Sequence, residues 1–402
     1  MMRSRRRYWT LIGTAFVGLT SPLQAQTVLP FRSGVNLSVA PGGQDKSSLP
    51  LATQHAQNSQ RVETAYGIGF DFIRLRVPMA PWTETGYVTD QQNELTLASG
   101  IINQALSLGM RIDVVMVPGT TSASSGSGLI CSPQPAAVAS WTEAWQQTLA
   151  LLPDSPHTAF EPLSEPPNCS VGGTDRWTVA QLSLYKQVRA IHRTTKFVVY
   201  GYHWGDNTGT DFTRLNPTSY AADPNTLYTF HYYDPFTFTA QGLSWMGNGH
   251  YKYETGVTWP YDAANANSVL DEALTLVRQD QYLTPDQQIA FEDQIAADLT
   301  AYATTGTQAY IGSQFVKIQA WARAYHLSAG QILVGEYGVA QPSHNTLGAP
   351  LPTSPAWLAA VNATAHRMWF ATAVWDLDSG HGIVCGTPGS ATLCPAYEGL
   401  FP

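Results

Sequence analysis

The stretch Phe160-Glu161-Pro162-Leu163-Ser164-Glu165-Pro166, with Val334-Gly335-Glu336-Tyr337-Gly338 far downstream, indicates how this chain folds. In both stretches a short apolar run leads to a glutamate that is followed within two residues by Pro or Gly. This pattern predicts a carboxylate at the carboxyl end of a buried strand, where a parallel α/β barrel carries its catalytic groups. Two such glutamates on different strands, Glu165 and Glu336, fit the carboxylate pair of a glycosidase.

The composition predicts a large folded domain. Of the 402 residues, 44% are hydrophobic, 11% are aromatic and only 12% are charged. A chain of this kind can bury a substantial core, and its low charge argues against disorder. Because no repeat or linker interrupts it, we expect residues 26–402 to form one domain.

Residues 1–25 have the features of a secretory signal peptide. Four arginines between positions 3 and 7 precede an apolar run at 9–19, and Ala25 offers a small residue for cleavage. The run is shorter than the ~20 residues of a membrane-spanning helix. An ordinary secretory signal is favoured over a twin-arginine one. Its removal lowers the formal net charge from −8 to −12, which disfavours nucleic acid and membrane surfaces as partners. We therefore expect a secreted or periplasmic protein.

Eight short β-like runs alternate with helical stretches, which predicts parallel β/α units and an α/β fold, a single (β/α)8 TIM barrel. The predicted strands are 32–37, 71–78, 111–118, 157–163, 196–201, 227–232, 331–336 and 369–375. The predicted helices are 54–65, 97–108, 135–152, 177–192, 286–304 and 313–327. Almost a hundred residues separate strands six and seven, so we expect an extended insertion there. Its aromatic-rich part, 242–267, is predicted to be irregular and to shape the cleft.

Four cysteines suit an exported protein. Cys131 and Cys169 follow the third and fourth predicted strands, so neighbouring loops on one barrel face bring them together. Cys385 and Cys394 share the loop after the last strand. We predict the disulfides Cys131–Cys169 and Cys385–Cys394. Zinc binding by four thiols is the weaker alternative, because no CxxC or His-rich spacing is present.

Cleaving a glycosidic bond with retention needs a protonated carboxyl beside the leaving oxygen and an ionised one beneath the anomeric carbon, roughly 5–5.5 Å away. Glutamates that end the fourth and seventh strands face each other across the barrel mouth. Hydrogen-bond donors hold a nucleophile ionised. Arg74 on the second strand and Tyr233 after the sixth are the candidate donors.

Motifs in chain order resemble the cellulase-like glycoside hydrolase family 5, whose members are retaining enzymes on a (β/α)8 barrel. The resemblance covers nearly the whole chain after residue 25. The matching motifs are Gly34-Val35-Asn36-Leu37, Ile73-Arg74-Leu75, Phe160-Glu161-x-x-Ser164-Glu165-Pro166, His231-x-Tyr233-x-Pro235-Phe236, Gly335-Glu336-Tyr337-Gly338 and Trp375.

The resemblance implies a role for each matched residue. Glu165 would be the acid/base and Glu336 the nucleophile, and Tyr233 and Arg74 would orient Glu336. His231 would support the site, although a purely structural core histidine is the alternative. The aromatic face of Trp375 would stack on the sugar. Trp204, after strand five, is a second candidate platform.

Two positions depart from the family pattern. Ser164 stands where the family has an Asn that hydrogen-bonds the sugar 2-hydroxyl, and Val117 stands where a His usually lines the site. Hydrogen bonds to that hydroxyl supply several kcal/mol in the transition state. The identity of the sugar is therefore open.

Two further charged residues require partners because buried charges are costly. Glu161 lies an even number of residues before Glu165, so its side chain should also point into the barrel. We therefore expect it to pair with Arg74 or Arg76. Arg76, where the family often has Pro, is interpreted as part of the same ion-pair network.

The sequence thus predicts a monomeric retaining β-glycosidase that acts on a polysaccharide or oligosaccharide without metal or cofactor. The resemblance favours an endo-β-1,4-glucanase. One alternative is a hydrolase or transglycosylase for another exported polysaccharide, and the other is a carbohydrate-binding barrel with little turnover.

Overall fold

The computed structural model describes residues 31–40, 49–84, 90–122, 124–171, 174–201, 212–341, 353–386 and 391–402. The predicted signal peptide at 1–25 and the candidate platform Trp204 lie outside these residues. Within them, no helix combines the length and the apolar character needed to cross a membrane.

Eight parallel strands close into a barrel, so the predicted (β/α)8 fold is confirmed. The strands are β1 (Ser33–Ser38), β2 (Phe72–Pro78), β3 (Arg111–Val117), β4 (Thr158–Glu161), β5 (Lys196–Tyr200), β6 (Thr226–His231), β7 (Ile332–Tyr337) and β8 (Ala371–Val374). Each strand pairs with its neighbours in chain order, and β8 returns to β1, where Ser33 is in register with Thr372. Two short two-stranded ribbons, one at 170–175 and one at 384–393, lie outside the barrel.

Helices cover the outside of the barrel and pack on the outward apolar residues of the strands. They are α1 (Leu51–Ile68), α2 (Ala80–Thr83), α3 (Gln91–Ser107), α4 (Gly126–Ile130), α5 (Pro135–Leu149), α6 (Arg176–Ile191), α7 (Phe236–Thr239), α8 (Ala263–Gln279), α9 (Pro285–Thr305), α10 (Gln308–Ala324) and α11 (Thr353–Arg367). The six predicted helices are all present. The two long helices α8 and α11 were not predicted from the sequence.

The extended insertion between β6 and β7 is confirmed and contains α7 to α10. Its first part is irregular, as expected, with a short 3₁₀ segment at Gly247–Lys252, but α8 begins at Ala263, inside the stretch predicted to be irregular. Thr284 starts α9 with a capping box: its hydroxyl accepts from the Gln287 amide nitrogen, and the Gln287 side chain accepts from the Thr284 nitrogen. Local signals of this kind explain why α9 was predictable.

The inside of the barrel has an apolar floor and a polar centre. The floor is a cluster of buried residues: Phe31, Phe72, Ala159, Val198, Leu227, Leu333, Ala371 and Ala373. Further along the strands, Arg74, Asp113 and Glu161 are also fully buried. Branched apolar residues normally fill a barrel of this type. A charged layer there must be paired internally, and it lies directly below the barrel mouth.

Both predicted disulfides are present. Cys131–Cys169 joins the end of α4 to the segment after β4. Cys385–Cys394 links the two strands of the ribbon that follows β8.

Candidate active site

Glu336 is positioned by an irregularity in β7. Val334 is in register with Phe230 of β6, yet the next residue of β6, His231, is in register with Glu336, so Gly335 is an extra residue. Such a bulge redirects the following side chain. A Cβ on Gly335 would lie 2.5 Å from Oγ1 of Thr229, so no larger residue fits there without a shift.

Two hydrogen-bond donors contact the Glu336 carboxylate. Arg74 Nη1 lies 2.6 Å from Oε1, and the Tyr233 hydroxyl donates to Oε2 at 2.9 Å. Burial by itself raises the pKa of Glu336, but the neighbouring His231 and Arg74 outweigh it and lower the pKa to about 2. Burial and the Glu336 charge raise the pKa of Tyr233 well above its usual value, so its hydroxyl keeps the proton that it donates. Glu336 is therefore held ionised.

Glu165 lies four residues beyond the end of β4 in a turn that its neighbours hold in place. Trp141 of α5 donates to the Pro162 carbonyl at 3.2 Å, and the Ser164 amide donates to the Met116 carbonyl at 2.7 Å. Glu165 itself adopts φ 49°, a left-handed conformation that costs a non-glycine residue about 1–3 kcal/mol. Its side chain is 44% exposed, against 8% for Glu336, so the two carboxylates have different environments.

His231 lies between the two carboxylates. Its Nδ1 is 2.8 Å from Oε1 of Glu165 and 3.3 Å from Oε2 of Glu336. One oxygen of each glutamate and a His231 nitrogen all lie within 4.8 Å of one another. In retaining glycosidases the carboxyl groups are about 5–5.5 Å apart, whereas inverting enzymes need about 6.5–9.5 Å to admit a water molecule. The nearest oxygens of the two carboxylates are therefore closer together than the inverting separation.

A second layer beneath the pair orients Arg74. Arg74 Nε and Nη2 bind the two oxygens of Glu161 at 3.1 and 2.9 Å, so the predicted pairing of Glu161 with Arg74 is confirmed. Asn36 of β1 accepts from Arg74 Nη1 at 2.8 Å and donates to the Gly335 carbonyl at 2.9 Å. Asn36 thus connects the arginine to the bulge that presents Glu336. From the sequence, Asn36 was noted only as part of a motif. The signal that could have identified it is its alignment with Arg74 on the neighbouring strand, which places both side chains on the same face.

The prediction that Arg76 joins this network holds only for its charge, which helps to lower the pKa of Glu336. Within the described residues Arg76 forms no ion pair: its Nη1 lies 3.3 Å from the Ser38 hydroxyl, and its guanidinium carbon lies 4.5 Å from the centre of the Trp375 ring. Both oxygens of Glu161 are bound by Arg74, which lies one inward position deeper in the barrel than Arg76 on β2. Arg76 is left at the mouth of the barrel.

A cleft opens at this mouth beside Glu165. It is lined by Arg76, Val117, Pro118, Ser125, Gly126, Ser127, Ser164 and Glu165. The two positions that depart from the family pattern, Ser164 and Val117, therefore both face the cleft. Ser125 and Ser127, which the sequence did not single out, add hydroxyl-bearing residues at the start of α4. Trp375 follows β8, half-buried, with Arg76 over its ring.

His381 is a further residue near the pair. Burial lowers its pKa to about 4, partly offset by the Glu336 charge, so its imidazole is neutral at ordinary pH. The sequence assigned it no role, because nothing local indicates that a loop after β8 folds back towards β7.

The atoms of Glu165, His231 and Glu336 are close enough together to share a metal ion. Their proximity also has a metal-free explanation, because the His231 ring nitrogen bridges the carboxylates and Arg74 and Tyr233 bind Glu336. These contacts account for the proximity of the three side chains.

A sequence model of cellulase, glycosyl hydrolase family 5, matches residues 38–380. The chain belongs to this family. Endoglucanase 3 of Fibrobacter succinogenes is 26% identical over 200 residues, which is 49% of this chain and 27% of that protein. This chain thus spans about a quarter of the length of that curated relative.

Solved structures share the fold of this family 5 chain. The cellulose synthase subunit Z (CcsZ) of Clostridioides difficile superposes with a TM-score of 0.59 at 16% identity, covering 91% of this chain and 98% of that one. Cel5A of Thermotoga maritima in complex with cellobiose superposes with a TM-score of 0.61 at 16% identity, covering 91% and 96%.

Proposed function

We propose that this protein is a retaining β-glycoside hydrolase, and specifically an endo-β-1,4-glucanase. The observation that carries the proposal is the pair of carboxylates, Glu165 and Glu336, with oxygens within 4.8 Å of each other. An inverting enzyme must hold a water molecule between one carboxylate and the sugar, and a separation of this size leaves no room for it. The family membership and the endoglucanase relative support a β-linked glucan as the substrate.

The reaction proceeds by double displacement. Glu336, held ionised by Arg74 and Tyr233, attacks the anomeric carbon while Glu165 gives its proton to the departing glycosidic oxygen, which breaks the C–O bond and leaves a glycosyl ester on Glu336. Glu165, now a carboxylate, takes a proton from water, whose oxygen attacks the same carbon and releases Glu336. The exposed side chain of Glu165 suits it to this exchange with solvent.

The remaining residues act on the substrate or on the pair. His231 keeps the carboxylates oriented through its Nδ1, and Trp375 offers an aromatic face to the sugar at the cleavage point. Ser164 takes the position that borders the sugar 2-hydroxyl. We further propose that residues 26–402 act as one exported, monomeric domain whose reaction uses no metal or cofactor.

A trapping experiment tests the double displacement. A 2-fluoro β-glycoside with a good leaving group should inactivate the protein and add one glycosyl unit to Glu336, read by mass spectrometry of peptides. The Glu165→Ala variant should lose about 10²–10⁴-fold in kcat on cellulose, but far less on a dinitrophenyl glycoside whose leaving group needs no proton. Failure to label Glu336 with any sugar would instead favour a carbohydrate-binding barrel.

One observation favours a second candidate, a hydrolase or transglycosylase for an anionic exported polysaccharide. Arg76 lines the cleft beside Glu165, and its buried Nε has no hydrogen-bond partner in the described part of the chain. A guanidinium with free donors binds a carboxylate in a fork. Product analysis over neutral and acidic β-glucans decides between the candidates. A preference for the acidic polymer that Arg76→Gln abolishes would replace the cellulase assignment.

A further inference from the structure

A second cluster of metal-ligand residues lies in the insertion, away from the two catalytic glutamates. His250 is in the 3₁₀ segment, Glu254 follows that segment, and Asp298 projects from α9. His250 Nε2 is 2.8 Å from Oδ2 of Asp298 and 3.7 Å from Oε1 of Glu254. One ligand atom of each residue lies within 4.8 Å of the others. Atoms bound to one zinc ion at about 2.0–2.2 Å are roughly 3.3 Å apart, close to the two measured separations.

The imidazole of His250 is oriented so that Nε2 faces the acids. Its Nδ1 hydrogen-bonds the carbonyl oxygen of Gly247. Because a carbonyl oxygen only accepts, Nδ1 carries the proton. Nε2 is then the ring nitrogen directed at the two carboxylates, where it could serve as a ligand to a cation between them. A metal-bound histidine has this arrangement, with its other nitrogen donating to a backbone carbonyl.

Glu254 is buried without a hydrogen bond from the described residues that would explain its burial, and its carboxylate lies 3.7 Å from the His250 ring nitrogen. Its side chain is fully buried, and neither carboxylate oxygen has a hydrogen-bond partner among the described residues. A buried carboxyl group without a partner is costly. When both are ionised, the Glu254 and Asp298 carboxylates carry a formal charge of −2, which one divalent cation neutralises.

A hydrogen bond within α9 orients the Asp298 side chain towards the cluster. Its Oδ1 accepts from Gln294 Nε2 at 2.8 Å, one turn earlier on α9, which leaves Oδ2 directed at His250. Such support of a ligating carboxylate is characteristic of metal sites. Two of the three candidate ligands therefore have an orienting hydrogen bond on the side away from the cluster.

We propose that His250, Glu254 and Asp298 form a structural zinc site. One imidazole and two carboxylates suit Zn²⁺, whereas Ca²⁺ favours oxygen ligands alone. The ion joins the irregular part of the insertion to α9, and water completes its coordination. The site is independent of the reaction at Glu165 and Glu336.

Zinc binding by the untagged protein tests the site. After treatment with a chelator, the wild-type chain should take up one equivalent of Zn²⁺, measured by mass spectrometry of the metal after dialysis, and its Tm should rise. Glu254→Gln and Asp298→Asn should each weaken Zn²⁺ binding by on the order of 100-fold, measured by competition with a chromogenic chelator. Gln294→Leu, which removes only the support of Asp298, should weaken binding by about 10-fold.

Two variants serve as controls. Asp293→Asn changes an exposed acid on the same helix and should leave the zinc affinity unchanged. Glu336→Gln should also retain the zinc equivalent, which separates this cluster from the catalytic glutamates. No zinc uptake by the wild type, or equal uptake by Glu254→Gln and Asp298→Asn, overturns the site. In that case Glu254 is a protonated acid, for which the Gln variant is a good mimic and keeps the Tm of the wild type.

Discussion

Arg74 binds Glu336 and Glu161 at the same time. Its Nη1 lies 2.6 Å from Oε1 of Glu336, while its Nε and Nη2 hold both oxygens of Glu161, and all three side chains are buried. One guanidinium thus links a residue at the barrel mouth to a carboxylate in the barrel interior. The fixed fork of Arg makes this double contact possible, which a lysine could not reproduce. Removing Arg74 therefore affects stability and chemistry together.

Mutations can separate the effect of Arg74 on stability from its effect on the reaction. Arg74→Met leaves Glu161 buried without its partner and should lower the free energy of unfolding by about 3–5 kcal/mol, measured by urea denaturation at pH 7. Adding Glu161→Gln should recover part of that loss, because the uncompensated charge is then gone. Arg278→Met, which breaks the exposed pair with Glu292, is the control and should have little effect. Equal losses in the single and double variants would contradict this account.

Tyr233 tunes the ionisation of Glu336. In Tyr233→Phe the carboxylate loses a hydrogen bond of the charged type, worth about 1.5–3 kcal/mol, so the pKa of Glu336 should rise by about 1–2 units. The reaction needs the ionised form, so the acidic limb of the kcat/KM pH profile should move to higher pH. Tyr302→Phe removes a hydroxyl that donates to the Thr258 carbonyl in the insertion, and its profile should match the wild type. An unshifted acidic limb in Tyr233→Phe would show that the hydroxyl does not stabilise the charge.

Asp113 should make the protein less stable as the pH rises. Burial, and then the Glu161 charge, raise its pKa to about 8, against about 3.9 in an unfolded chain. The folded state therefore binds the extra proton, and its stabilising effect is complete below about pH 4 and is lost between about pH 4 and 8. Asp113→Asn should flatten the dependence of unfolding free energy on pH from 5 to 8, measured with urea. The exposed Asp293→Asn variant should follow the wild type, and a parallel curve for Asp113→Asn would refute the assignment.

The two disulfides should differ in their contribution to stability. Chain-entropy estimates give about 4 kcal/mol for Cys131–Cys169, whose residues are 38 positions apart, and about 2.5 kcal/mol for Cys385–Cys394, 9 positions apart. Double Cys→Ser variants of each pair, compared by urea unfolding, measure the difference. Loss of Cys131–Cys169 should also raise KM, because α4 beside it lines the cleft. A larger loss from the shorter loop would show that native contacts outweigh chain entropy.

Elements with strong local signals were predictable. The barrel strands were found because each is a short run bounded by turn residues. Helix α9 was predicted as well, and the structure shows a capping box and Pro285 at its start. Helix α8 was missed since the aromatic-rich segment before it has no strong boundary, and its Asp262 cap was not recognised. Helix α11 follows residues 342–352, a stretch with three prolines, and its apolar positions were not distinguished from a loop.

The sequence by itself determined the barrel, the disulfide pairs and the identity of the two candidate carboxylates, because period-two patterns and strand-end motifs are local properties of the chain. Only the tertiary structure decided which charges meet. In the structure Glu161 pairs with Arg74, whereas Arg76 lies over the Trp375 ring. A shift of one inward position along β2 changes which partners are within reach. The tertiary structure also brought Asp298 to His250 and Glu254, with His250 and Asp298 being 48 positions apart in the insertion. Distances between residues remote in sequence depend on how strands and helices pack, and no local pattern encodes them.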